Sequence, residues 1–426
     1  MAKTAIVIGA GVVGVTTAYS LWSRGYKVKV IERNSDVALE CSHQNGGQLS
    51  YSQMEPLASF SNLLKVPSWI FKKDSPIIFG KGSTSKDFLK WGLGFVLSSS
   101  NSTNKKNTAS MLSLSQYSRD VMHEVIEEAK LEFDYLQRGT LLVYSNKKDF
   151  DKAKKTAEFK KSLGIKSKIL NKDGIIKQEP ALEDSSYNFI GGVWYPNDES
   201  GDCFKFTKGL TAFLKKHGVE FVFNKEVDKL ILNSDNTIKE VITIENKNNH
   251  DIISSFQADV FVISAGAYTP KVLDDLNIKT GIIPMRGHSI HIDIKWKDRI
   301  KNIRSTITEQ HKKVVYTKLG DELRVGGIAE FAGFNHNIRK DKIDSLIKLT
   351  KSLTGLDEFE NIKTWCCLRP QTYDGLPIIS DTKYTNLYIN SGHGMLGWTL
   401  ATGSGELIAN IIDNEELPLD RTPFSL

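Results

Sequence analysis

The sequence has few cysteines, no long apolar run and no block of like charges. Its four cysteines form no Cys-x-x-Cys pair and no Cys/His spacing suited to zinc, so we expect reduced thiols and no metal. No apolar stretch is long enough for a membrane span or a secretory signal, which predicts a cytoplasmic location. Hydrophobic residues make up 40% and charged residues 25%, as in ordinary globular proteins.

Length and charge limit the number of domains and the class of partner. The chain of 426 residues is too long for one compact domain and suits two. It has 56 basic and 50 acidic residues, a net charge of +6, and the lysines are spread along its length. Such dispersed charge gives little support for nucleic-acid binding, and it would equally suit an anionic membrane surface or an anionic substrate.

A glycine-rich turn, GAGVVG at residues 9–14, lies between a predicted strand and a predicted helix. Gly9 permits a tight turn, Gly11 lets a pyrophosphate approach the backbone, and Gly14 lets helix and strand pack closely. Glu32 ends the next strand, 18 residues after the last glycine, where ribose recognition requires an acid. The pattern predicts a dinucleotide site with contacts from Gly9, Gly11, Val12, Val13, Gly14, Glu32 and Arg33.

The stretch CSHQNGGQL at 41–49 favours FAD over NAD. Small and amide residues here can wrap the far side of an FAD pyrophosphate and reach the flavin ring, whereas an NAD domain would more often continue into another strand and helix. A polar loop is the alternative reading. The predicted cofactor contacts in this stretch are Ser42, Asn45, Gly46, Gly47, Gln48 and Leu49.

Two further turns follow predicted strands and face the same expected cofactor. Ser264-Ala-Gly at 264–266 would let backbone pass close to it, although an ordinary turn is the alternative. The stretch SGHGMLGWT at 391–399 opens a predicted helix, whose positive end would stabilise the negative charge of a reduced flavin. The predicted contacts are Val227, Ser264, Ala265, Gly266, Arg369, Gly392, His393, Gly394, Met395, Leu396, Gly397, Trp398 and Thr399.

Arg369 lies in the stretch LRPQTYDGLP at 368–377. A guanidinium held by a rigid Arg-Pro turn suits bidentate binding of a substrate carboxylate. The alternative is a structural ion pair between Arg369 and Asp374.

The middle of the chain alternates between aromatic, polar and amphipathic segments. Residues 57–100 are aromatic and basic, and residues 98–107 are polar and predict a loop. Leu114, Tyr117, Val121 and Val125 recur at helical spacing, which predicts an amphipathic helix. Strands are expected to dominate from 282 to 331.

These residues together resemble the D-amino acid oxidase superfamily of FAD-dependent oxidoreductases, and within it the quinone-linked D-amino acid dehydrogenases. The resemblance runs nearly end to end, through residues 11–15, 45–48, 117–120, 179–182, 196–203, 324–330, 368–370, 374–375 and 391–398. The first and last of these stretches are shared across the superfamily. The stretches PNDESGDC and GHGMLGW are more particular to the dehydrogenases.

The resemblance implies an α/β fold in which a Rossmann-like FAD-binding domain is interleaved with an antiparallel α+β substrate-binding domain. We expect the first at 1–56, 196–280 and 360–426, and the second at 57–195 and 281–359. It also implies oxidation of a D-amino acid to an imino acid, with hydride transfer to flavin N5 and hydrolysis to a 2-oxo acid and ammonia. Electrons would pass to a quinone, and residues 69–91 would contact the cytoplasmic face of the inner membrane or pack on the substrate domain.

In this reading Arg369 binds the substrate carboxylate with help from Tyr51 or Tyr316. His288 is one of several histidines that could set the protonation of the amine, together with His43 and His393. His288 replaces a tyrosine expected in the Arg-Gly-x-Ser stretch, and Tyr373 stands where proline is commoner. The resemblance therefore leaves the preferred amino acid open.

Three alternatives remain at the level of sequence. The first is an oxidase that uses O₂ on glycine, sarcosine or a D-amino acid. The second is a 2-hydroxy acid dehydrogenase with a similar fold. The third is a nucleotide-binding module without redox activity, against which the number of cofactor-facing motifs argues.

Overall fold

The computed structural model describes residues 2–71, 75, 77–247, 250–294, 302–356 and 358–426. Its strands are β1 Thr4–Ile8, β2 Lys27–Ile31, β3 Gln48–Leu49, β4 Ile77–Phe79, β5 Thr140–Tyr144, β6 Lys168–Leu170, β7 Gly191–Tyr195, β8 Glu199–Ser200, β9 Glu220–Val222, β10 Glu226–Leu232, β11 Ile238–Lys247, β12 His250–Phe256, β13 Val260–Ile263, β14 Ile283–Asp293, β15 Thr306–Glu309, β16 Val314–Leu319, β17 Glu322–Phe331, β18 Lys363–Gln371, β19 Ile378–Asp381 and β20 Leu387–Ser391. Its α-helices are α1 Val12–Ser23, α2 Phe60–Leu63, α3 Val66–Phe71, α4 Lys86–Ser98, α5 Asn101–Ala129, α6 Lys147–Ser162, α7 Lys172–Gln178, α8 Cys203–Lys216, α9 Thr269–Val272, α10 Lys340–Thr354 and α11 Gly397–Asp413.

A six-stranded sheet in the order β9-β2-β1-β13-β20-β19 forms the centre of the first domain. Strands β9, β2, β1, β13 and β20 run parallel, and β19 pairs antiparallel with β20. Val7, Val30 and Val262 are completely buried, as expected for parallel strands covered on both faces. The turns that follow β1, β2, β13 and β20 therefore meet at one edge of this sheet, where α/β proteins bind ligands.

Helices α1 and α11 pack on the sheet, α8 packs against α1, and α11 packs closely against both α1 and α5. The close approach depends on glycine in α11. A Cβ atom on Gly403 would lie 2.7 Å from the Cα of Ser118 in α5, and one on Gly405 would lie 2.9 Å from the backbone of Thr16 in α1. Small residues thus bring three helices together behind the sheet.

The second large sheet has the order β18-β14-β17-β16-β15-β5-β7-β6, with β4 beside β17. Its pairs are antiparallel except for β15 with β5 and β17 with β4. Helix α10 packs against one face, where Leu346, Ile290 and Val325 are completely buried. Smaller antiparallel sheets, β10-β11-β12 and β3-β8, complete the described strands.

The predicted interleaving of a Rossmann-like domain with an antiparallel domain is confirmed, but its boundaries differ. Strand β18 pairs with β14, so the chain returns to the six-stranded sheet after residue 371 and not at 360. Helix α5 was expected in the substrate domain, yet it packs on α11 of the other. The loop predicted at 98–107 is also wrong, because α5 begins at Asn101 and the side chain of Ser100 accepts a hydrogen bond from the Thr103 amide.

Candidate active site

A cavity of about 1340 Å³ is lined by residues from both large sheets. Small-molecule pockets usually measure roughly 300–1000 Å³. The cavity therefore has room for a cofactor together with a small substrate. Its borders include the turns after β1, β2, β13 and β20, where the sequence predicts the cofactor site.

The turn after β1 has the tight geometry that its glycines predict. Gly9 has a φ of +106°, and a Cβ atom there would lie 2.5 Å from the carbonyl oxygen of Ser264. A Cβ atom on Gly14 would lie 1.9 Å from the carbonyl oxygen of Gly9, so Gly14 packs helix against strand and does not border the cavity. Gly11 borders the cavity, and a Cβ atom there would touch only Ser42 Oγ, at 3.5 Å, and would take up space in the cavity.

Glu32 and Arg33 border the cavity at the end of β2. One carboxylate oxygen of Glu32 accepts a hydrogen bond from the Ala10 amide at 2.7 Å, which fastens the acid beneath the glycine turn. The other oxygen accepts two hydrogen bonds from Asn34, each at 2.8 Å. The guanidinium of Arg33 stacks 3.6 Å from the ring centre of Tyr268 and forms an ion pair with Glu40.

The stretch 41–49 crosses from the first domain to the second sheet. Gln48 donates a hydrogen bond to Thr140 of β5 at 3.1 Å, and the Asn45 side chain accepts one from the Gly47 amide at 2.9 Å. Ser42, Asn45, Gly46, Gly47 and Gln48 border the cavity, as do Val227, Ser264, Ala265 and Gly266. Leu49 is completely buried in β3 and does not border it.

The turn between β20 and α11 brings backbone and a helix N-terminus to the cavity. Gly392 and Gly394 have φ values of +82° and +55°, and the Gly394 amide donates to the carbonyl oxygen of Pro370 at 2.8 Å. Residues 392–399 all border the cavity, and α11 begins at Gly397. The positive end of this helix therefore faces the space where the sequence predicts the flavin.

His393 is buried within this turn, where its Nε2 lies 3.0 Å from the hydroxyl of Ser404. Burial lowers the pKa of His393 to about 3, so its ring is neutral at physiological pH. His393 accordingly adds no positive charge to the cavity. Its role in the turn is positional.

Arg369 borders the cavity from β18, opposite Met285 of β14. Its guanidinium lies flat over Gly287, where a Cβ atom would fall 2.5 Å from Cζ. Within the described residues, no carboxylate lies within ion-pair distance of Arg369, and Asp374 instead accepts a hydrogen bond from the Leu376 amide at 3.1 Å. The ion pair with Asp374 is therefore absent, and the guanidinium is available to a ligand.

His288 also borders the cavity, on the strand that carries Gly287. Its ring is completely buried, and neither nitrogen has a hydrogen-bond partner among the described residues. Nε2 lies 3.8 Å from a carboxylate oxygen of Glu330. Burial alone would raise the pKa of Glu330, but the neighbouring His288 and Arg286 lower it to about 2, so a carboxylate stands beside the ring.

Tyr51 and Tyr316 are buried, and neither borders the cavity. Tyr316 follows Val315, which does border it, and successive side chains of a strand point to opposite faces. Tyr316 therefore packs into the core of the second sheet. Tyr51 lies behind Ser50, and its carbonyl oxygen accepts a hydrogen bond from the Ser115 hydroxyl at 2.7 Å. The prediction that either tyrosine assists Arg369 is wrong.

Charged side chains that the sequence reading did not single out border the cavity as well. On the side of the substrate domain they include Glu55, Lys65, Lys105, Lys148, Asp149, Lys152, Lys155 and Lys313, and most are lysines. Four of them share helix α6, whereas the other four come from distant parts of the chain, so no single local sequence pattern connects the whole set. Cys41 and Cys367 also border the cavity.

The glycine turn, the acid after β2 and the helix N-terminus at α11 define a dinucleotide-binding oxidoreductase site. Residues 4–411 match the family of FAD dependent oxidoreductases (DAO), and the chain belongs to that family. FAD is its cofactor, and the residues present fit it. Gly11 leaves open the space that a Cβ atom would enter, and the buried Ser264 Oγ and Gln44 Oε1 have no partner among the described residues.

Related proteins and structures share both sequence and fold with the chain. A D-amino acid dehydrogenase of Azorhizobium caulinodans is 34% identical over 408 residues, covering 96% of this chain and 95% of that protein. One from Agrobacterium fabrum is 33% identical over 415 residues, covering 97% and 96%. The crystal structure of a glycine oxidase from Bacillus cereus matches with a TM-score of 0.72 at 20% identity, covering 99% of both chains, which shows the fold.

Proposed function

We propose that the chain oxidises the Cα–N bond of D-amino acids, giving 2-oxo acids and ammonia, and passes the electrons to a quinone-type acceptor. The observation that carries this proposal is the guanidinium of Arg369, which lies in the FAD cavity without a carboxylate partner among the described residues. A free amino acid always offers a carboxylate next to the carbon to be oxidised. The two relatives named as D-amino acid dehydrogenases favour the D series.

Arg369 binds the substrate carboxylate through parallel N–H donors and so fixes the direction of the Cα–H bond. The chemistry supplied by bound FAD is acceptance of that hydrogen as hydride at N5. His288 borders the same cavity, with Nε2 3.8 Å from a carboxylate oxygen of Glu330, and sets the protonation of the substrate amine. Orientation provides much of the rate, and no strong base is required.

A quinone acceptor would be met at a membrane surface, and α4 offers an apolar face for one. Leu89, Leu93, Val96 and Leu97 of α4 are 49–73% exposed, while Trp91 and Phe95 of the same helix are buried. Exposed Lys86 and Lys90 accompany the leucines, as in helices that lie on anionic bilayers. Lys72 and Lys73, part of the segment predicted to contact the membrane, lie outside the described residues.

Helix α4 also lies near the turn between β20 and α11, which borders the cofactor cavity. The indole of Trp91 donates to the carbonyl oxygen of Gln371 at 3.1 Å, and Gln371 pairs with His393. Tyr373, two residues on, packs over Gly94 of α4. An acceptor bound at this helix would therefore lie close to the cofactor. Within the described residues, no helix combines the length and apolarity needed to cross a bilayer.

The test is anaerobic reduction of the purified yellow protein by D-alanine and by L-alanine, followed at the flavin absorbance band. We expect D-alanine alone to bleach the flavin, and a quinone analogue to restore the colour much faster than air. Rapid reoxidation by air, with formation of stoichiometric peroxide, would mean that the electron acceptor is O₂ and not a quinone. Bleaching by lactate and not by D-alanine would contradict the amino acid substrate.

A further inference from the structure

A cluster of charged side chains borders the cavity on the side of the substrate domain. Lys65 follows α2, Lys152 lies in α6, and Lys313 lies in the turn between β15 and β16. Glu55 and Asp149 are the acids beside them. The neighbouring Lys160 and, less strongly, Lys313 and Lys152 lower the pKa of Glu55 to about 2, so these groups lie close enough to interact.

The cluster contains more positive than negative charge. Lys160 pairs with Glu55 at 2.9 Å, and Lys65 pairs with Asp149 at 3.5 Å. Lys152 donates to the hydroxyl of Ser61 at 2.5 Å, and Lys313 donates to the side-chain oxygen of Gln310 at 2.6 Å. Within the described residues neither of these last two lysines has a carboxylate within ion-pair distance.

Lys65, Lys152 and Lys313 are exposed, so this excess positive charge faces solvent and is open to an anion that enters the cavity. The protein atoms packed around the Lys313 ammonium lower its pKa and the carboxylate of Glu55 raises it, while the nearby Lys65 and Lys152 lower it again. The backbone of Lys313 also has a φ of +58°, a conformation that is unfavourable for a side chain with a Cβ atom. A cation held in this way at a cavity wall is a functional candidate.

The strand register places Lys313 across the cavity wall from Arg369. The guanidinium covers Gly287 on β14, and the order β14-β17-β16 puts two strand spacings, roughly 10 Å, between β14 and β16. His288 pairs with Gly327, and the side chain of Val314 lies 3.0 Å from where a Cβ atom on Gly327 would be. Lys313 is therefore almost level with Gly287 along the strands. The side chains of Arg369 and Lys313 can extend into the space between.

We infer that the preferred substrates are D-amino acids with a second acidic group, whose side-chain carboxylate binds Lys313 and Lys152 while the α-carboxylate binds Arg369. This inference rests on the proposed function and specifies its substrate class. A neutral side chain would leave both ammonium groups without an anion. A second carboxylate would pair with them through charge-assisted hydrogen bonds.

The test compares D-glutamate with D-glutamine, which have nearly the same size and differ in charge. We expect kcat/KM for flavin reduction to favour D-glutamate by about tenfold or more, the effect of one hydrogen bond to a charged group. Lys313→Gln and Lys152→Gln should each reduce that ratio. Lys239→Gln, an exposed lysine of β11, removes the same charge elsewhere and should keep it.

A binding measurement without turnover completes the test. Glutarate should raise the melting temperature of the FAD-loaded protein more than butyrate, and Lys313→Gln should remove the difference. Reduction by D-alanine or D-glutamine that is as efficient as reduction by D-glutamate would overturn this inference and leave the proposed function standing. Failure of every D-amino acid to reduce the flavin would overturn the proposed function, and this inference with it.

Discussion

In the proposed function, Arg369 is the residue on which substrate binding depends most directly. Replacing it with alanine removes a bidentate contact to the carboxylate, and we expect KM for D-alanine to rise by about 10- to 100-fold. Arg369→Lys keeps the positive charge but loses the two parallel N–H donors of the guanidinium, so the increase in KM should be smaller than in Arg369→Ala. Steady-state kinetics measure both effects.

The matched control is Arg421→Ala, which removes a partly exposed ion pair with Asp381. It should leave KM unchanged, because surface ion pairs contribute little. The flavin absorbance of Arg369→Ala should persist after gel filtration. An unchanged KM in Arg369→Ala, with FAD still bound, would mean that another residue binds the substrate carboxylate.

The neutral ring of His393 has a consequence for acid stability. In the unfolded chain a histidine binds a proton near pH 6.5, whereas the folded protein holds the pKa of His393 at about 3. The unfolded state therefore binds more protons between these values, and stability falls as the pH drops below about 6.5. By pH 5 this amounts to about 2 kcal/mol.

His393→Gln should remove that part of the pH dependence. Urea unfolding of the FAD-loaded protein at pH 7 and pH 5 measures it, and the loss on acidification should be smaller in the variant by about 2 kcal/mol. His250→Gln, at an exposed position of β12, is the control. An equal loss in the two variants would mean that His393 is protonated in the folded protein.

At the scale of elements, replacing glycine by alanine should have opposite effects on stability in α11, at Gly403, and in α4, at Gly92. A Cβ atom on Gly403 of α11 would lie 2.7 Å from Ser118, so Gly403→Ala forces α11 away from α5 and should cost about 1–3 kcal/mol. Gly92 of α4 has no atom within 4 Å of its would-be Cβ atom, and Gly92→Ala should gain about 0.5–1 kcal/mol. Urea denaturation compares them, and similar losses in both would contradict the packing argument.

The elements that the sequence predicts best are those whose conformation is set by a few neighbouring residues. The spacing of Gly9 and Gly14 predicts a strand, a tight turn and a helix in that order. Strand β1 and helix α1 lie on either side of the turn, as predicted. Gly392 and Gly394 marked the turn before α11 in the same way. The start of α5 was missed because Ser100 caps the helix within a polar segment, and polar segments are ambiguous between loop and solvated helix.

At the scale of the whole molecule, the cavity joins residues whose proximity no local pattern encodes. Lys313 approaches the level of Gly287 only through the order of strands in the second sheet. Tyr316 was assigned to the site by residue type, but the alternation of β16 directs it to the opposite face. Sequence motifs therefore pointed to the glycine turns that border the cavity, whereas the opposite wall depends on strand register and on helices that are distant in the sequence.

The exposed face of α4 gives the prediction that concerns the whole enzyme. The double substitution Leu93→Ser and Leu97→Ser removes two exposed apolar side chains and should weaken binding to anionic phosphatidylglycerol vesicles by about tenfold or more, measured by co-sedimentation. Ile253→Ser, at a position of β12 that is 69% exposed, is the control for a lost apolar surface residue. With vesicle-embedded quinone the α4 variant should turn over slowly, while a soluble dye should support full activity because the cavity is unaltered. Vesicle binding that is equal in both variants would place the acceptor at another surface.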